Sequence, residues 1–456
     1  MSRIGRMAEA ARGMRAMKQA RERERWPRER LRAHQSAALD ALVRDVLARS
    51  PFYRERFAGL VGSGPVELAA LPTVDKATLM ANLDNALCEP RLRGRDLHAH
   101  VHDEARLLGE FRVLASSGST GAPSLYVYSR ADWTGILALF FRMNEMSGIR
   151  PGIPRTRIAA IGGPSLASMT RRLSVGVDFG LHRLLRLATT DPLHEMVDAL
   201  NAFRPDVLAA YASIAALLAD EQRAGRLRIA PRIVSTSSEL RTPEATARIE
   251  DAFGVNPFDL YASTEGLWAS DCAHRHKHLF EDWCIAENVD RDGRPVPDGQ
   301  PGERVLITNL FNRTLPMIRF EVSDVVVIDR EPCACGRTLA RLHAVEGRSA
   351  DVLRLDSAAG GRVAIHPTQL SPLSADPAVR EFQIVQHGQR IVLRVALRQG
   401  AGEEATARLV TAVEERLRAA GVAEPDVAAE VVPALERTPA GKLKVVVIEE
   451  EQRISA

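Results

Sequence analysis

The run Leu114-Ala115-Ser116-Ser117-Gly118-Ser119-Thr120-Gly121-Ala122-Pro123-Ser124 concentrates hydroxyls and glycines in one short stretch. Glycines let a backbone approach an anion closely, freed amide N–H groups form a concave nest, and Ser and Thr hydroxyls add donors at its rim. The same residue types also build flexible linkers. Here Phe111, Val113 and Leu114 lead in and Leu125, Tyr126, Val127 and Tyr128 lead out, so the run reads as a turn between two strands. A polyphosphate grip, and hence an enzyme that opens with ATP, is the expectation. The Gly-Lys-Ser/Thr ending of the P-loop pattern is absent, which excludes a P-loop NTPase by that signature.

A second constellation could bind a metal. Cys333-Ala334-Cys335-Gly336-Arg337 is a tight knuckle, and Cys272 lies upstream with His274, His276 and His278. Thiolates and imidazoles are the ligands a structural zinc prefers, and a closed tetrahedral site needs four. The spacing departs from the common C-x₂₋₄-C, three histidines compete for one place, and reduced thiols without a metal are the alternative.

These residues need a scaffold, and 456 residues with 45% hydrophobic content supply two or three domains. The net charge of +3 gives no global field for nucleic acid. No apolar run approaches the ~20 residues of a membrane span. Five cysteines, an odd and sparse set, do not form a secreted disulfide framework, so a reducing cytoplasm is expected. From Arg3 to Arg32 arginines are dense, but Glu9, Glu22, Glu24 and Glu29 interrupt them. We read residues 1–34 as a basic, solvated helical extension rather than a targeting segment.

Residues 35–60 carry helical periodicity through Leu39, Leu42, Val43, Val46 and Leu47, interrupted at Ser50-Pro51. The middle of the chain alternates β-rich runs at 157–161, 205–210 and 232–236 with helical runs at 191–203 and 242–253, the α/β signature of a parallel sheet. Stretches at 302–310 and 324–329 read as further strands. After Gly347-Arg348 the pattern changes to strands at 379–386 and 389–396, a helix at 402–420 and a strand at 427–432. The expected fold is therefore α/β, with a large multi-subdomain region at 35–350 and a small α+β domain at 351–456.

Taken together, these segments resemble the adenylate-forming superfamily of acyl-CoA ligases, adenylation domains and luciferases, in particular its phenylacetate-CoA ligase-like branch. Beyond the Ser/Gly run, Ser50-Pro51-Phe52-Tyr53-Arg54 and Leu71-Pro72-Thr73-Val74-Asp75-Lys76 resemble N-terminal landmarks of that branch. Asp259-Leu260-Tyr261-Ala262-Ser263-Thr264-Glu265-Gly266 resembles its adenine and magnesium segment. Gly302-Glu303 through Asn309-Leu310, Pro316, Arg319-Phe320 and Asp324 resemble the strand pair leading to its ribose-binding aspartate. The match covers nearly the whole chain after about residue 35, and it implies that the small domain is mobile.

The resemblance also implies roles. Ser116, Ser117, Gly118, Ser119, Thr120 and Gly121 would hold the β- and γ-phosphates. Tyr261, Ala262 and Ser263, with Ser238 and Glu239, would border the adenine. Thr264 and Glu265 would act at the reacting phosphates, with Glu265 holding Mg²⁺ through carboxylate oxygen. Asp324 would accept from both ribose hydroxyls. Arg348 would reach ribose or phosphate at a hinge pivoting on Asp351. Lys442, in Thr438-Pro439-Ala440-Gly441-Lys442, would stabilise charge developing between carboxylate and α-phosphate. Among relatives a Cys and a following His accompany a Cys-x-Cys pair, which selects Cys272, His278, Cys333 and Cys335 as the zinc set.

The implied reaction is activation of a carboxylic acid as an acyl-adenylate with loss of pyrophosphate, then acyl transfer to a thiol, with CoA the leading acceptor. A carrier-protein thiol, an amine, or a non-catalytic scaffold descendant are the alternatives. The stretch Leu353 to Val363 differs from the short run of aryl-CoA ligases, which keeps the acceptor open. Gly162-Gly163-Pro164 and Trp268-Ala269 are expected near the acyl group. The expected partners are small molecules, and a homodimer is compatible with this reading.

Overall fold

A nine-stranded sheet carries the site, and the alternation of strand and helix dictates half of it. Phe258–Ala262, Ile233–Ser237, Val207–Tyr211, Arg157–Gly162 and Arg183–Ala188 lie side by side and parallel. Parallel neighbours need crossovers, here supplied by helices such as Leu193–Phe203, Ala212–Arg223 and Pro243–Phe253. The last of these is bounded by its own sequence. Thr242 accepts from the Ala245 N–H, Pro243 occupies the first turn, and Gly254 closes the helix at φ 69°. Beyond Phe258–Ala262 the sheet continues antiparallel through Leu267–Asp271, Lys277–Leu279, Arg341–Arg348 and Asp324–Asp329. The computed structural model describes residues 3–116, 124–178, 180–348, 351–365, 367–370, 373, 376–398, 400–438 and 441–449.

Two smaller sheets flank it. Arg112–Ser116 and Ser124–Tyr128 form an antiparallel hairpin with Ser116 opposite Ser124. Cys284–Val289, Arg304–Asn309 and Phe320–Val322 form a three-stranded antiparallel sheet. The C-terminal segment has its own core, in which Leu353, Phe382, Ile391, Leu409 and Val446 pack together. Its strands run in the order Asp426–Val431, Arg390–Leu397, Val379–His387 and Val446–Glu449, with the helix Glu403–Ala419 beside them. Three of the expected strands and the helix thus form within a residue or two of where periodicity places them.

The N-terminal extension corrects one expectation. Arg3–Ala20 is helical, and Arg12, Arg15 and Lys18 are exposed, but the opposite face is not solvated. Glu9 is only 1% exposed and pairs with Arg106 and Arg112. Glu24 is 5% exposed and meets Arg142 Nε at 3.1 Å and Arg337 Nε at 2.7 Å. A Cβ on Gly13 would lie 2.6 Å from Leu137 Cβ, so the glycine lets this helix close on the helix Arg130–Met146. Two of the four glutamates that interrupt the basic run, Glu9 and Glu24, are therefore anchors, while Glu22 and Glu29 are exposed. The next helix, Arg28–Arg49, runs unbroken across residues 34 and 35, where the extension was expected to end. Among the described residues no helix is long and apolar enough to cross a membrane.

Candidate nucleotide and acyl site

Ligands of parallel α/β sheets collect at the carboxyl ends of the strands. After Ile233–Ser237 the chain turns at Ser238 with φ 70°, a left-handed conformation costly for a residue with a side chain. That turn delivers Glu239. On the next strand, the Tyr261 hydroxyl donates to Asp324 Oδ2 at 2.6 Å. Arg348 stands directly opposite Asp324 in the ladder.

Between Phe258–Ala262 and Leu267–Asp271, residues 263–266 form a tight turn closed by the Ser263 N–H to the Gly266 carbonyl at 2.9 Å. A Cβ on Gly266 would meet the Trp268 ring at 2.5 Å, so the turn requires glycine. The turn is tied to the hairpin beside it. Tyr126 Oη donates to Glu265 Oε1 at 2.7 Å, and Tyr128 Oη donates to the Thr264 carbonyl at 2.9 Å. Burial, then the Glu265 charge, pushes both phenols well above their usual range, so they act as neutral donors. At the root of the Ser/Gly run, Lys76 Nζ donates to Ser116 Oγ at 2.8 Å. Ser117, Gly118, Ser119, Thr120 and Gly121 lie outside the described residues.

The C-terminal segment is docked on this edge. The Leu443 N–H donates to Glu239 Oε1 at 2.7 Å, while Glu239 Oε2 accepts from the Ser213 N–H at 2.9 Å. Arg437 Nη1 donates to Ser213 Oγ at 2.8 Å and Nη2 to Glu381 Oε1 at 2.5 Å. Arg398 Nη2 reaches Asp220 Oδ1 at 2.9 Å across the same junction. Gly441 sits against Thr189, and its φ of 76° suits glycine. Lys442 is held in a turn whose Thr438 N–H and Lys442 carbonyl are 2.9 Å apart.

Behind the sheet, one ligand atom each from Cys272, His278, Cys333 and Cys335 lies within 4.8 Å of all the others. The Cys272 and Cys333 sulfurs are 3.8 Å apart, too far for a disulfide. Two sulfurs about 2.3 Å from one tetrahedral centre are separated by about that distance. His278 Nδ1 is 3.0 Å from the Leu339 carbonyl, which leaves Nε2 facing Cys335 Sγ at 3.3 Å. His276 meets Cys333 Sγ through Nδ1 at 3.2 Å, and His274 is not part of the four-ligand cluster. The donor set fits zinc.

A cavity of about 530 Å³ opens beside the strand ends. Gly162, Gly163 and Ser237 line it at the carboxyl ends of their strands, and Met14, Met17 and Phe140 line it from helices. The Gly163 N–H donates to Tyr211 Oη at 3.0 Å, which fixes the backbone there.

No protein-family model matches the chain. Over 387 residues it is 29% identical to a phenylacetate-coenzyme A ligase of Thermus thermophilus, covering 80% of each chain. It is 28% identical to the phenylacetate-coenzyme A ligase of Pseudomonas putida over 359 residues, or 75% of this chain and 74% of that one. Its fold matches 2-hydroxyisobutyryl-CoA ligase in the postadenylation state with 2-HIB-AMP at a TM-score of 0.75 and 23% identity, covering 94% and 91% of the two chains. The chain is thus similar to phenylacetate-coenzyme A ligases and shares the fold of 2-hydroxyisobutyryl-CoA ligase. Against the same structural neighbour in its thioesterification state the TM-score is 0.60, with 94% and 92% covered.

Of the expected residues, Tyr261 and Asp324 are joined by a hydrogen bond across the sheet, Arg348 pairs with Asp324 in the ladder, and Thr264 and Glu265 occupy the turn that follows the strand of Tyr261. Glu239 departs from its expected place. Its carboxylate is taken by the Ser213 and Leu443 amides, so it docks the C-terminal segment rather than offering a side chain to adenine. Trp268 and Ala269 depart too. They are buried with Leu279, Val305 and Leu342, and Trp268 Nε1 donates to Ser263 Oγ at 3.1 Å, which makes them a support for the 263–266 turn and not acyl contacts. Sequence reasoning missed Lys76 as a cation beside the Ser/Gly run. Its signal was present in the Leu71–Lys76 landmark, but 40 residues separate it from Ser116. The roles of Met14 and Met17 had no sequence signal, since methionines in an arginine-rich helix carry no motif.

Proposed function

We propose that this protein is an ATP-dependent, AMP-forming acid–thiol ligase. A substrate carboxylate attacks the α-phosphorus of ATP, pyrophosphate leaves, and the acyl-adenylate then passes its acyl group to the thiol of CoA with release of AMP. The observation that carries this reading is that the Tyr261–Asp324 pair, Glu265 and the docked Lys442 segment gather at the ends of the neighbouring strands Ile233–Ser237 and Phe258–Ala262.

In this reading Asp324 receives the ribose hydroxyls and Tyr261 orients both the carboxylate and the adenine. The Ser116–Gly121 run, with Lys76 at its root, takes the β- and γ-phosphates. Glu265, aimed by Tyr126, would hold Mg²⁺, which offsets phosphate charge when bound. Lys442 stabilises the charge shared by attacking carboxylate and α-phosphate, and Arg348 lies at the hinge beside Asp324. The small domain turns about Asp351 between the two half-reactions. The higher similarity to the postadenylation arrangement supports a docked state in which Lys442 serves adenylation.

Cys272, His278, Cys333 and Cys335 would hold a structural zinc that ties two loops together. None of the five cysteines is joined in a disulfide, in keeping with a reducing cytoplasm. Carboxylate-dependent ATP–pyrophosphate exchange across an acid panel, followed by mass detection of an acyl-CoA, tests the reading. Exchange that Glu265→Gln lowers at least a hundredfold is expected. No exchange with any acid would return the chain to the scaffold alternative.

A further inference from the structure

The acyl cavity has a wall that the large domain does not itself provide. Ala10, Gly13, Met14, Met17, Ala20 and Arg21 recur at helical spacing along Arg3–Ala20 and into the next turn, so they share one face. Gly13 closes that face onto Leu137, and Glu9 and Glu24 clamp both ends through buried ion pairs with Arg106, Arg112, Arg142 and Arg337. Met14 and Met17 then line the cavity together with Leu184 and Leu187 of the strand Arg183–Ala188. At this helix's C-terminal end Arg21 Nη2 pairs with Glu145 at 2.9 Å, and both residues border the cavity.

We propose that the N-terminal helix is part of the acyl site and makes this protein selective for a medium-chain alkyl carboxylic acid. This rests on the acid-activating reading above. The cavity, at about 530 Å³, falls within the roughly 300–1,000 Å³ typical of pockets for extended organic ligands. A single ring would leave much of it unfilled. Its walls are chiefly apolar, with Phe140 and Phe141 among aliphatic and thioether side chains and with Arg150, Arg171 and His182 also on the lining, and methionine adapts to the irregular shape of a flexible chain. The carboxylate end belongs at Gly162, Gly163 and Ser237, where Ser237 ends the strand next to that of Tyr261, the partner of Asp324. From there the chain runs between Leu187 and Met17. No polar partner is required along its length, so each buried methylene raises kcat/KM by roughly fourfold until the cavity is filled.

The test is ATP–pyrophosphate exchange with straight-chain acids from acetate to dodecanoate, alongside benzoate and phenylacetate. The expected maximum lies at octanoate or decanoate. Met17→Trp narrows the cavity and should lower the decanoate-to-butyrate ratio of kcat/KM at least tenfold, while Met17→Ala moves the maximum to longer chains. Use of acids no larger than phenylacetate, or chain-length profiles identical in wild type and both variants, overturns the proposal. A second arm needs no chemistry: binding of a fluorescent medium-chain fatty acid to the full chain without ATP. Saturable binding weakened by Met17→Trp supports the pocket even if no acid supports exchange, a result that would instead reject the ligase reading. No saturable binding, together with no medium-chain exchange, overturns the pocket itself.

Discussion

The Tyr261 hydroxyl donates to Asp324 Oδ2 at 2.6 Å, joining strands that lie apart in the nine-stranded sheet. A carboxylate so held keeps one orientation before nucleotide arrives. Charge-assisted hydrogen bonds are worth about 1.5–3 kcal/mol each. Asp324→Ala should therefore raise the KM for ATP in pyrophosphate exchange by roughly 10- to 100-fold, whereas Tyr261→Phe, which removes only the orienting bond, should raise it a few-fold. An unchanged KM in Asp324→Ala removes the ribose role.

Lys76 tests the phosphate end. Its ammonium lies 2.8 Å from Ser116 Oγ, at the first residue of the Ser/Gly run. Lys76→Met keeps the stem and removes the charge. We expect pyrophosphate to bind at least fivefold more weakly and the salt dependence of its binding to flatten, measured by pyrophosphate inhibition at two ionic strengths. Equal inhibition constants in variant and wild type would leave Lys76 a purely structural donor.

Docking of the C-terminal segment can be separated from its chemistry. Arg437 bridges Ser213 and Glu381, and Arg398 reaches Asp220, while Lys442 rides on the same segment. Lys442→Ala should cut adenylation while sparing thioester formation from supplied acyl-adenylate. Arg398→Ala, remote from the nucleotide contacts, should lower adenylation less and increase the susceptibility of the C-terminal segment to protease. Normal pyrophosphate release in Lys442→Ala would sink that lysine's assignment.

The elements were legible because local signals agreed with the global fold. Thr242-Pro243 and Gly254 bound a helix as residue chemistry requires, and the Val379 to Ala396 alternation became paired strands. The zinc set was legible as residue types, although only folding brings Cys272 within 3.8 Å of Cys333, 61 residues away. Contacts set by tertiary packing were not legible. Glu239 could not be seen to meet a backbone amide 204 residues later. The buried face of the N-terminal helix is built from alanine, glycine, methionine and glutamate, a weakly apolar stripe that the surrounding arginines mask.

Removing the metal ligands should reveal a structural rather than a catalytic debt. Metal analysis of untagged protein should find one zinc per chain, and Cys335→Ser should lose it. Because zinc bound only to the folded site adds its binding free energy to folding, the melting temperature should fall by more than about 5 °C. Exchange activity at low temperature should stay within a few-fold of wild type. Full zinc content in Cys335→Ser would exclude that thiol from the site.

The ion pair between Arg437 and Glu381 sets the final prediction. Burial outweighs the nearby Arg437 charge and pushes the Glu381 carboxyl above its usual range. A carboxyl raised in the folded state favours folding below its unfolded pKa of about 4.3, and loses that contribution as pH rises through the folded value. Glu381→Gln mimics the protonated form, and Arg437 keeps Ser213 Oγ at 2.8 Å and Glu239 Oε1 at 3.9 Å. The melting temperature of the variant minus that of wild type should therefore increase from pH 4 to pH 7. The opposite trend would mean that the Coulombic gain of the pair exceeds its desolvation cost, and that this contact fastens the domain junction through charge.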